Sequence, residues 1–166
     1  FEGPKMFLET LDLTNKDTNF IFITGSDSFE FKSKIKKLNP KDTIFLVSSK
    51  SFKTEETILI LKHAISWSGE ISKFVAITAN RKEAEKYNLK NIIEFDQEIG
   101  GRYSIWSEIS VLIYCLKKDD YDSFMAGGKQ ADFDLKSNDS YFKFVKNLAY
   151  SDIWLNNIKN KNSRAV

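Results

Sequence analysis

The sequence contains little of several residue types on which whole classes of protein depend. It has one Cys and one His among 166 residues, so neither an internal disulfide nor a zinc site built from Cys and His can form. Two Pro and seven Gly are too few for a fibrous or disordered chain, and a hydrophobic content of 42% can fill a core. The cysteine content fits a reducing environment, so we expect a cytoplasmic protein.

The sequence also lacks long apolar runs and an excess of charge of one sign. The longest apolar runs, residues 58–61 and 111–116, are far shorter than the roughly 20 residues that span a bilayer, so no membrane association is expected. The 25 Lys and Arg residues nearly balance 23 Asp and Glu residues, and the net charge of +2 predicts no nucleic-acid partner. The first residues carry neither an initiator Met nor a signal-peptide pattern, and we expect a piece of a longer protein.

Short apolar runs alternate with helical patterns over the first two thirds of the sequence. The runs predict buried strands at residues 19–24, 43–48, 73–78 and 91–95. The helical patterns lie between them, at residues 29–38, 54–67 and 81–87. This alternation predicts an α/β fold, a three-layer α/β/α sandwich around a parallel sheet of about four to five strands.

The last third of the sequence is predicted to be mainly helical. Helices are expected at residues 105–117, 120–126 and 140–159, with the glycine pair at 127–128 ending the second, and a last strand is possible at 164–166. The aromatic residues of the third helix recur at helical spacing and are expected in the core or on a surface for missing chain. No repeat or linker divides the sequence, so residues 1–166 are predicted to form one domain.

The turn after the second predicted strand has the composition of an anion-binding site. In a parallel α/β sheet, ligands bind beyond the carboxyl ends of the strands. Hydroxyls of Ser49, Ser51 and Thr54, the ammonium of Lys50 and free N–H groups at a helix start could converge there on a phosphate. Ordinary helix capping by Ser51 or Thr54 explains the same residues and is favoured by the pattern alone. The two interpretations are compatible.

A second candidate turn follows the fourth predicted strand. Paired glycines at Gly100 and Gly101 would let the backbone approach a ligand closely, and Arg102 could stabilise developing negative charge. The alternative is a tight turn with a surface arginine.

Taken together, the two turns resemble segments of the glucose-6-phosphate isomerase family. Residues 49–57 read Ser-Lys-Ser-Phe-Lys-Thr-Glu-Glu-Thr, which is similar to the family's Ser-Lys-Thr-Phe-Thr-Thr-Gln-Glu-Thr. Residues 100–107 read Gly-Gly-Arg-Tyr-Ser-Ile-Trp-Ser and differ from the family's segment by one conservative change, Leu to Ile. The resemblance implies the larger part of an N-terminal sugar isomerase (SIS) domain, which has a flavodoxin-like fold. It departs at Lys53 and Glu55, where the family has Thr and Gln.

The resemblance implies four residues that bind the phosphate of the sugar: Ser49, Lys50, Ser51 and Thr54. It also implies that Arg102 stabilises an enediolate-like intermediate and that Gly101 lets the backbone approach beside it. The family's proton-abstracting Glu and its ring-opening His and Lys would lie in segments absent here, the His in the partner subunit of a homodimer. No metal or redox cofactor is implied.

The expected function is therefore part of a glucose-6-phosphate isomerase, which interconverts glucose 6-phosphate and fructose 6-phosphate through an enediol in glycolysis and gluconeogenesis. A chain without the base is expected to be inactive on its own, since general base catalysis contributes about 10²–10⁴-fold. The alternative is a stand-alone regulatory module that binds a sugar phosphate and needs no base.

Overall fold

Three short strands form a parallel sheet, which confirms the predicted α/β class. The computed structural model describes residues 2–10 and 18–161. The strands are β1 (Phe45–Ser48), β2 (Phe74–Thr78) and β3 (Asn91–Glu94), and they lie side by side in that order. Each lies within its predicted bounds. The register pairs Ser48 with Ile77 and Thr78 with Glu94, so all three strands end at the same edge of the sheet.

The first predicted strand is not formed, and the described sheet therefore has fewer strands than expected. Residues 19–24 are irregular, and residues 20–23 are only half-buried. The carbonyl of Phe22 accepts a hydrogen bond from Lys34 Nζ at 2.6 Å, while Ile23 packs against the core. An apolar run can thus pack against the core as irregular chain, with one of its carbonyls satisfied by a side chain rather than by a neighbouring strand. The possible last strand at 164–166 lies outside the described residues.

Among the described residues up to Lys117, five α-helices accompany the sheet: α1 (Glu2–Thr10), α2 (Ser28–Ile35), α3 (Glu55–Ser68), α4 (Arg81–Glu85) and α5 (Val111–Leu116). Short 3₁₀ segments lie at Pro40–Asp42, Ile71–Lys73, Gly101–Trp106 and Glu108–Ser110. The predicted helices at 29–38, 54–67 and 81–87 correspond to α2, α3 and α4. Helix α3 ends at Gly69, whose φ of 66° is the left-handed conformation that glycine adopts at low cost.

The core lies between the sheet and the helices that pack around it. Phe74, Ala76 and Ile77 on the central strand are almost completely buried. Phe31 of α2, Leu61 of α3 and other apolar residues join Phe74 and Ala76 in one cluster. Burial of these side chains on both sides of β2 stabilises the parallel sheet, which has no hairpin to hold it together.

The predicted helix at 105–117 forms only in its second half. Two 3₁₀ segments precede α5, and serine hydroxyls explain why. Ser107 Oγ donates to the carbonyl of Ser104 at 2.6 Å, and Ser110 Oγ donates to the carbonyl of Ile105 at 2.8 Å. Side chains that satisfy these carbonyls compete with the regular helical hydrogen bonds.

The chain divides into two compact units, Phe1–Lys118 and Asp119–Val166. The second contains α6 (Lys118–Ser137), except for its first residue, and α7 (Asp139–Asn157). Helix α7 confirms the prediction for 140–159, and its first turn is capped by Asn138 Oδ1, which accepts from the N–H of Tyr141 at 3.1 Å. The predicted end at 127–128 is wrong. A glycine costs about 1 kcal/mol inside a helix, and the pair is flanked by good helix formers such as Ala126 and Lys129.

No residue of the second unit between 119 and 161 is buried. The aromatic side chains predicted for the core are exposed along α7, including Tyr141, Phe142, Phe144, Tyr150 and Trp154. Of the two predicted alternatives, a place in the core is therefore wrong for these side chains, and a surface for missing chain stays a prediction. Among the described residues, no helix is both long and apolar enough to cross a membrane.

Candidate anion-binding site

A cavity of about 380 Å³ lies where the three strands end. Six residues line it: Lys50, Ser51, Thr54, Ala79, Asn80 and Gln97. They follow β1, β2 and β3, so the register of the sheet brings the three segments together. None of the six is acidic, and Lys50 is the one cation among them. The lining therefore offers a positive charge and several hydrogen-bond donors to a ligand.

The turn at residues 49–54, here called the first turn, is built into the end of the sheet. Ser49 is 9% exposed, and its N–H donates to the carbonyl of Ile77 at 3.1 Å. Its Oγ accepts from the N–H of Phe52 at 3.2 Å. Phe52 has a φ of 53°, which is uncommon for a bulky residue. Its side chain is 1% exposed, so its burial in the core keeps the turn packed against the sheet.

Thr54 is the N-cap residue of α3, but its side chain makes no capping hydrogen bond. Its carbonyl accepts from the N–H of Ile58 at 3.0 Å, and its Oγ1 lies 3.5 Å from Ser49 Oγ. Ser51 Oγ accepts from the N–H of Lys53 at 3.1 Å, within the turn itself. Thr54 therefore occupies the predicted N-cap position, but neither the Ser51 nor the Thr54 hydroxyl caps the helix. The N–H groups of the first turn of α3 have no partner within the helix, and the Thr54 hydroxyl does not occupy them.

A buried hydroxyl connects the first turn to the segment after β2 by hydrogen bonds. Thr78 is 0% exposed, and its Oγ1 donates to the carbonyl of Lys50 at 3.2 Å. The same oxygen accepts from the N–H of Asn80 at 3.0 Å. The carbonyl of Lys50 also accepts from the N–H of Ala79 at 3.1 Å. One side chain thus fixes the spacing between two walls of the cavity.

The turn at residues 100–104, here called the second turn, is open. Gly101 and Arg102 are exposed and do not line the cavity, and a Cβ added to Gly101 would meet no atom within 4 Å. Within the described residues, Arg102 makes no hydrogen bond or ion pair. The second turn is nevertheless adjacent to the first, because Lys50 Nζ donates to the carbonyl of Ile99 at 3.1 Å.

Sequence reasoning identified three of the six residues that line the cavity, and missed Ala79, Asn80 and Gln97. The run that predicts β2 ends at Thr78, so its carboxyl end was visible in the sequence. Parallel strands end at one edge, and inspection of every such end would have included Asn80. Gln97 is tied in by a contact across 18 residues, from Nε2 to the carbonyl of Ala79 at 3.2 Å, which no local pattern predicts.

Lys53 does not line this cavity, and its positive charge is paired with Glu83. Its Nζ lies 3.6 Å from Glu83 Oε1, which also accepts a hydrogen bond from Lys86 at 2.7 Å. The hydrogen bond from Lys86, together with the charges of Lys53 and Lys86, lowers the pKa of Glu83 from its ordinary value, and burial opposes that shift. Both Lys53 and Glu55 line a separate depression beside Glu83. The two departures from the family pattern therefore do not alter the lining of the candidate site.

The family model for phosphoglucose isomerase matches residues 1–166. The chain belongs to the phosphoglucose isomerase family. This confirms the resemblance, since glucose-6-phosphate isomerase is the name that the curated relatives carry. The protein of that name from Blochmanniella floridana is 30% identical over 99% of this chain and 33% of its own length. The one from Christiangramia forsetii is 31% identical over 99% of this chain and 32% of its own length.

The chain thus spans about a third of the length of the phosphoglucose isomerases that it matches. A crystal structure of a hypothetical protein from Thermus thermophilus has a similar fold, with a TM-score of 0.67 and 19% identity. The similarity covers 80% of this chain and 35% of that chain.

Proposed function

We propose that this chain supplies the phosphate-binding part of a glucose-6-phosphate isomerase. The observation that carries the proposal is the cavity beside Lys50, Ser51 and Thr54, in which the Thr54 hydroxyl is not used to cap α3. Membership of the phosphoglucose isomerase family supports a sugar phosphate as the ligand. A phosphate has three terminal oxygens and suits a site with several donors.

The proposed binding mode uses three kinds of donor. The ammonium of Lys50 supplies a charge, the hydroxyls of Ser51 and Thr54 supply neutral donors, and the helix start supplies backbone N–H groups. The positive end of the α3 dipole favours an anion at that place. Ser49 was expected to bind the phosphate directly, but it does not line the cavity, and we assign it a supporting role because its Oγ accepts from the N–H of Phe52.

Arg102 is proposed to stabilise negative charge on the enediolate-like intermediate, with Gly101 leaving room for the sugar. The exposure of both residues and the absence of an ion pair at Arg102 within the described residues support this role. The hydrogen bond from Lys50 Nζ to the carbonyl of Ile99 supports placing the second turn beside the bound phosphate. The proton-abstracting base, the ring-opening groups and the homodimer partner belong to the proposed complete cytoplasmic enzyme.

Binding of glucose 6-phosphate, measured by isothermal titration calorimetry, tests the proposal. Glucose is the matched control because it differs only by the phosphate, and sulfate controls for a site that takes any anion. We expect saturable binding of glucose 6-phosphate and none of glucose. Equal affinity for glucose, or no binding of either sugar, would contradict the proposal.

A coupled assay on the same protein separates binding from catalysis. The isolated chain is expected to bind glucose 6-phosphate without converting it to fructose 6-phosphate, because the family resemblance implies a base that lies outside this chain. Ordinary turnover by the 166-residue chain would show that the catalytic groups lie within it.

A further inference from the structure

Asn80 lines the cavity on the wall formed by residues that follow β2. Its position is fixed at two points. Its N–H donates to the buried Thr78 Oγ1 at 3.0 Å, and its side-chain Oδ1 accepts from the N–H of Glu83 at 3.4 Å. Because Oδ1 accepts from a backbone N–H, the orientation of the amide is determined. The hydrogen bond to Oδ1 therefore orients the side chain in the absence of a ligand.

The other end of that amide makes no hydrogen bond with any residue that the structure describes. Nδ2 of Asn80 carries two N–H donors, and no acceptor among the described residues takes either. Asn80 is half-buried, and no carboxylate lines the cavity beside it. Hydrogen-bond donors at the wall of a cavity that no described residue engages are available to an anionic ligand.

Thr78 links this donor to the first turn. Its hydroxyl bridges the carbonyl of Lys50 and the N–H of Asn80, so the two backbones stay at a fixed spacing across the cavity. Gln97 steadies the same wall, because its Nε2 donates to the carbonyl of Ala79 at 3.2 Å. A ligand held by Lys50 and Thr54 thus lies in the cavity that Asn80 lines.

We propose that Asn80 is a further binding residue, which donates a hydrogen bond from Nδ2 to a phosphate oxygen of the ligand. This proposal rests on the proposed function, which supplies the sugar phosphate. It does not depend on the short helix α4, since the donor is a side-chain amide. It adds a neutral donor from the segment after β2 to the donors of the first turn.

Two substitutions at this position test the proposal by calorimetry with glucose 6-phosphate. Asn, Ser and Asp are all good N-cap residues, so Asn80→Ser and Asn80→Asp keep an acceptor for the N–H of Glu83. Asn80→Ser removes the amide donor without adding charge, and we expect affinity to fall about tenfold. Asn80→Asp places a carboxylate at the anion, and we expect a larger loss.

Asn88→Asp is the matched control for charge. Asn88 is exposed, has a φ of 60° that Asp also tolerates, and does not line the cavity. We expect its affinity to stay within about twofold of the unsubstituted chain, because an exposed distant charge is screened. Thermal unfolding of each variant checks that the fold is retained.

The outcomes separate this proposal from the proposed function. Unchanged affinity in Asn80→Ser would overturn the role of Asn80 even if Asn80→Asp binds weakly, since repulsion alone would then explain the second variant. If Lys50→Met also weakens binding in that case, the proposed function stands and only Asn80 is rejected. Failure of the unsubstituted chain to bind glucose 6-phosphate would reject both.

Discussion

The two turns that the sequence singles out differ in how the structure holds them. The first turn is part of the sheet edge, where Ser49, Lys50 and Phe52 all have buried or hydrogen-bonded contacts to the core. The second turn makes local hydrogen bonds, such as Ser104 Oγ to the carbonyl of Gly101 at 2.8 Å, and leaves Arg102 exposed. A preformed turn such as the first suits a group that must stay bound in every state of the reaction, such as a phosphate. A free cation suits charge that develops only during reaction.

The largest expected effect comes from a substitution that removes the buried side chain supporting the first turn. Phe52→Ala removes a side chain that is 1% exposed, and we expect a loss of about 3–5 kcal/mol in the free energy of unfolding. Tyr103→Ala is the control in the second turn, where the side chain is 69% exposed, and should cost less than about 0.5 kcal/mol. Urea denaturation measures both. Similar losses would mean that the two turns are supported alike.

The second prediction concerns the buried hydroxyl that joins the two cavity walls. Thr78→Val keeps the shape of the side chain but leaves the N–H of Asn80 without its acceptor, and should cost about 1–3 kcal/mol. Ser104→Ala removes the local hydrogen bond of the second turn, which is in contact with solvent, and should cost less. A smaller loss in Thr78→Val than in Ser104→Ala would contradict the account.

The third prediction separates direct phosphate binding by one lysine from a general effect of net positive charge. Lys50→Met and Arg102→Met each remove one positive charge, so they alter the net charge equally. Only Lys50 lines the cavity, and we expect glucose 6-phosphate to bind about tenfold more weakly to Lys50→Met. Arg102→Met should change the affinity by less than about twofold, since Arg102 is proposed to act on the intermediate. Equal losses in calorimetry would indicate a general electrostatic effect.

The smallest expected effect depends on pH. The pKa of Glu83 is lowered in the folded chain, chiefly by the hydrogen bond from Lys86, with Lys53 of the first turn adding its charge. A carboxylate with a lowered pKa stabilises the fold above its ordinary value of 4.5, and that contribution is lost as the pH falls through the folded pKa. The stability difference between the unsubstituted chain and Glu83→Gln should therefore shrink in acid.

The control for this effect is Glu98→Gln, which removes the same charge near the second turn. Glu98 makes no ion pair with any described residue, so no pair is lost. Denaturation curves at several pH values compare the two substitutions. A pH dependence that is the same for both would show that the pair with Lys53 and Lys86 contributes nothing specific.

Local patterns predicted most of the fold, and the exceptions have physical causes. Three strands and the helices between them were predicted from apolar periodicity. Packing against the sheet requires apolar residues at regular positions, and these positions are visible in the sequence. The run at residues 19–24 has the same composition as a strand, but Lys34 satisfies the carbonyl of Phe22. At residues 127–128 the prediction gave too much weight to the destabilising effect of two glycines on a helix. The high helix propensity of their neighbours outweighs it, and α6 continues through both.

The candidate site was predictable only where its residues are consecutive. Lys50, Ser51 and Thr54 lie in one segment, and the sequence pointed to them directly. Asn80 and Gln97 enter the site through the register of the sheet and through contacts across the chain. Nor could the sequence show that the Thr54 hydroxyl does not cap α3, because its pattern is that of an ordinary N-cap.

The most direct test of the account is an amide NMR titration of the chain with glucose 6-phosphate, using sulfate as the control anion. We predict saturable shifts confined to residues 49–57 and 79–80, with smaller shifts at residues 100–102 and weaker effects with sulfate. Shifts that cluster at the depression beside Lys53 and Glu83, or that spread evenly over the exposed lysines, would contradict a phosphate site at the first turn.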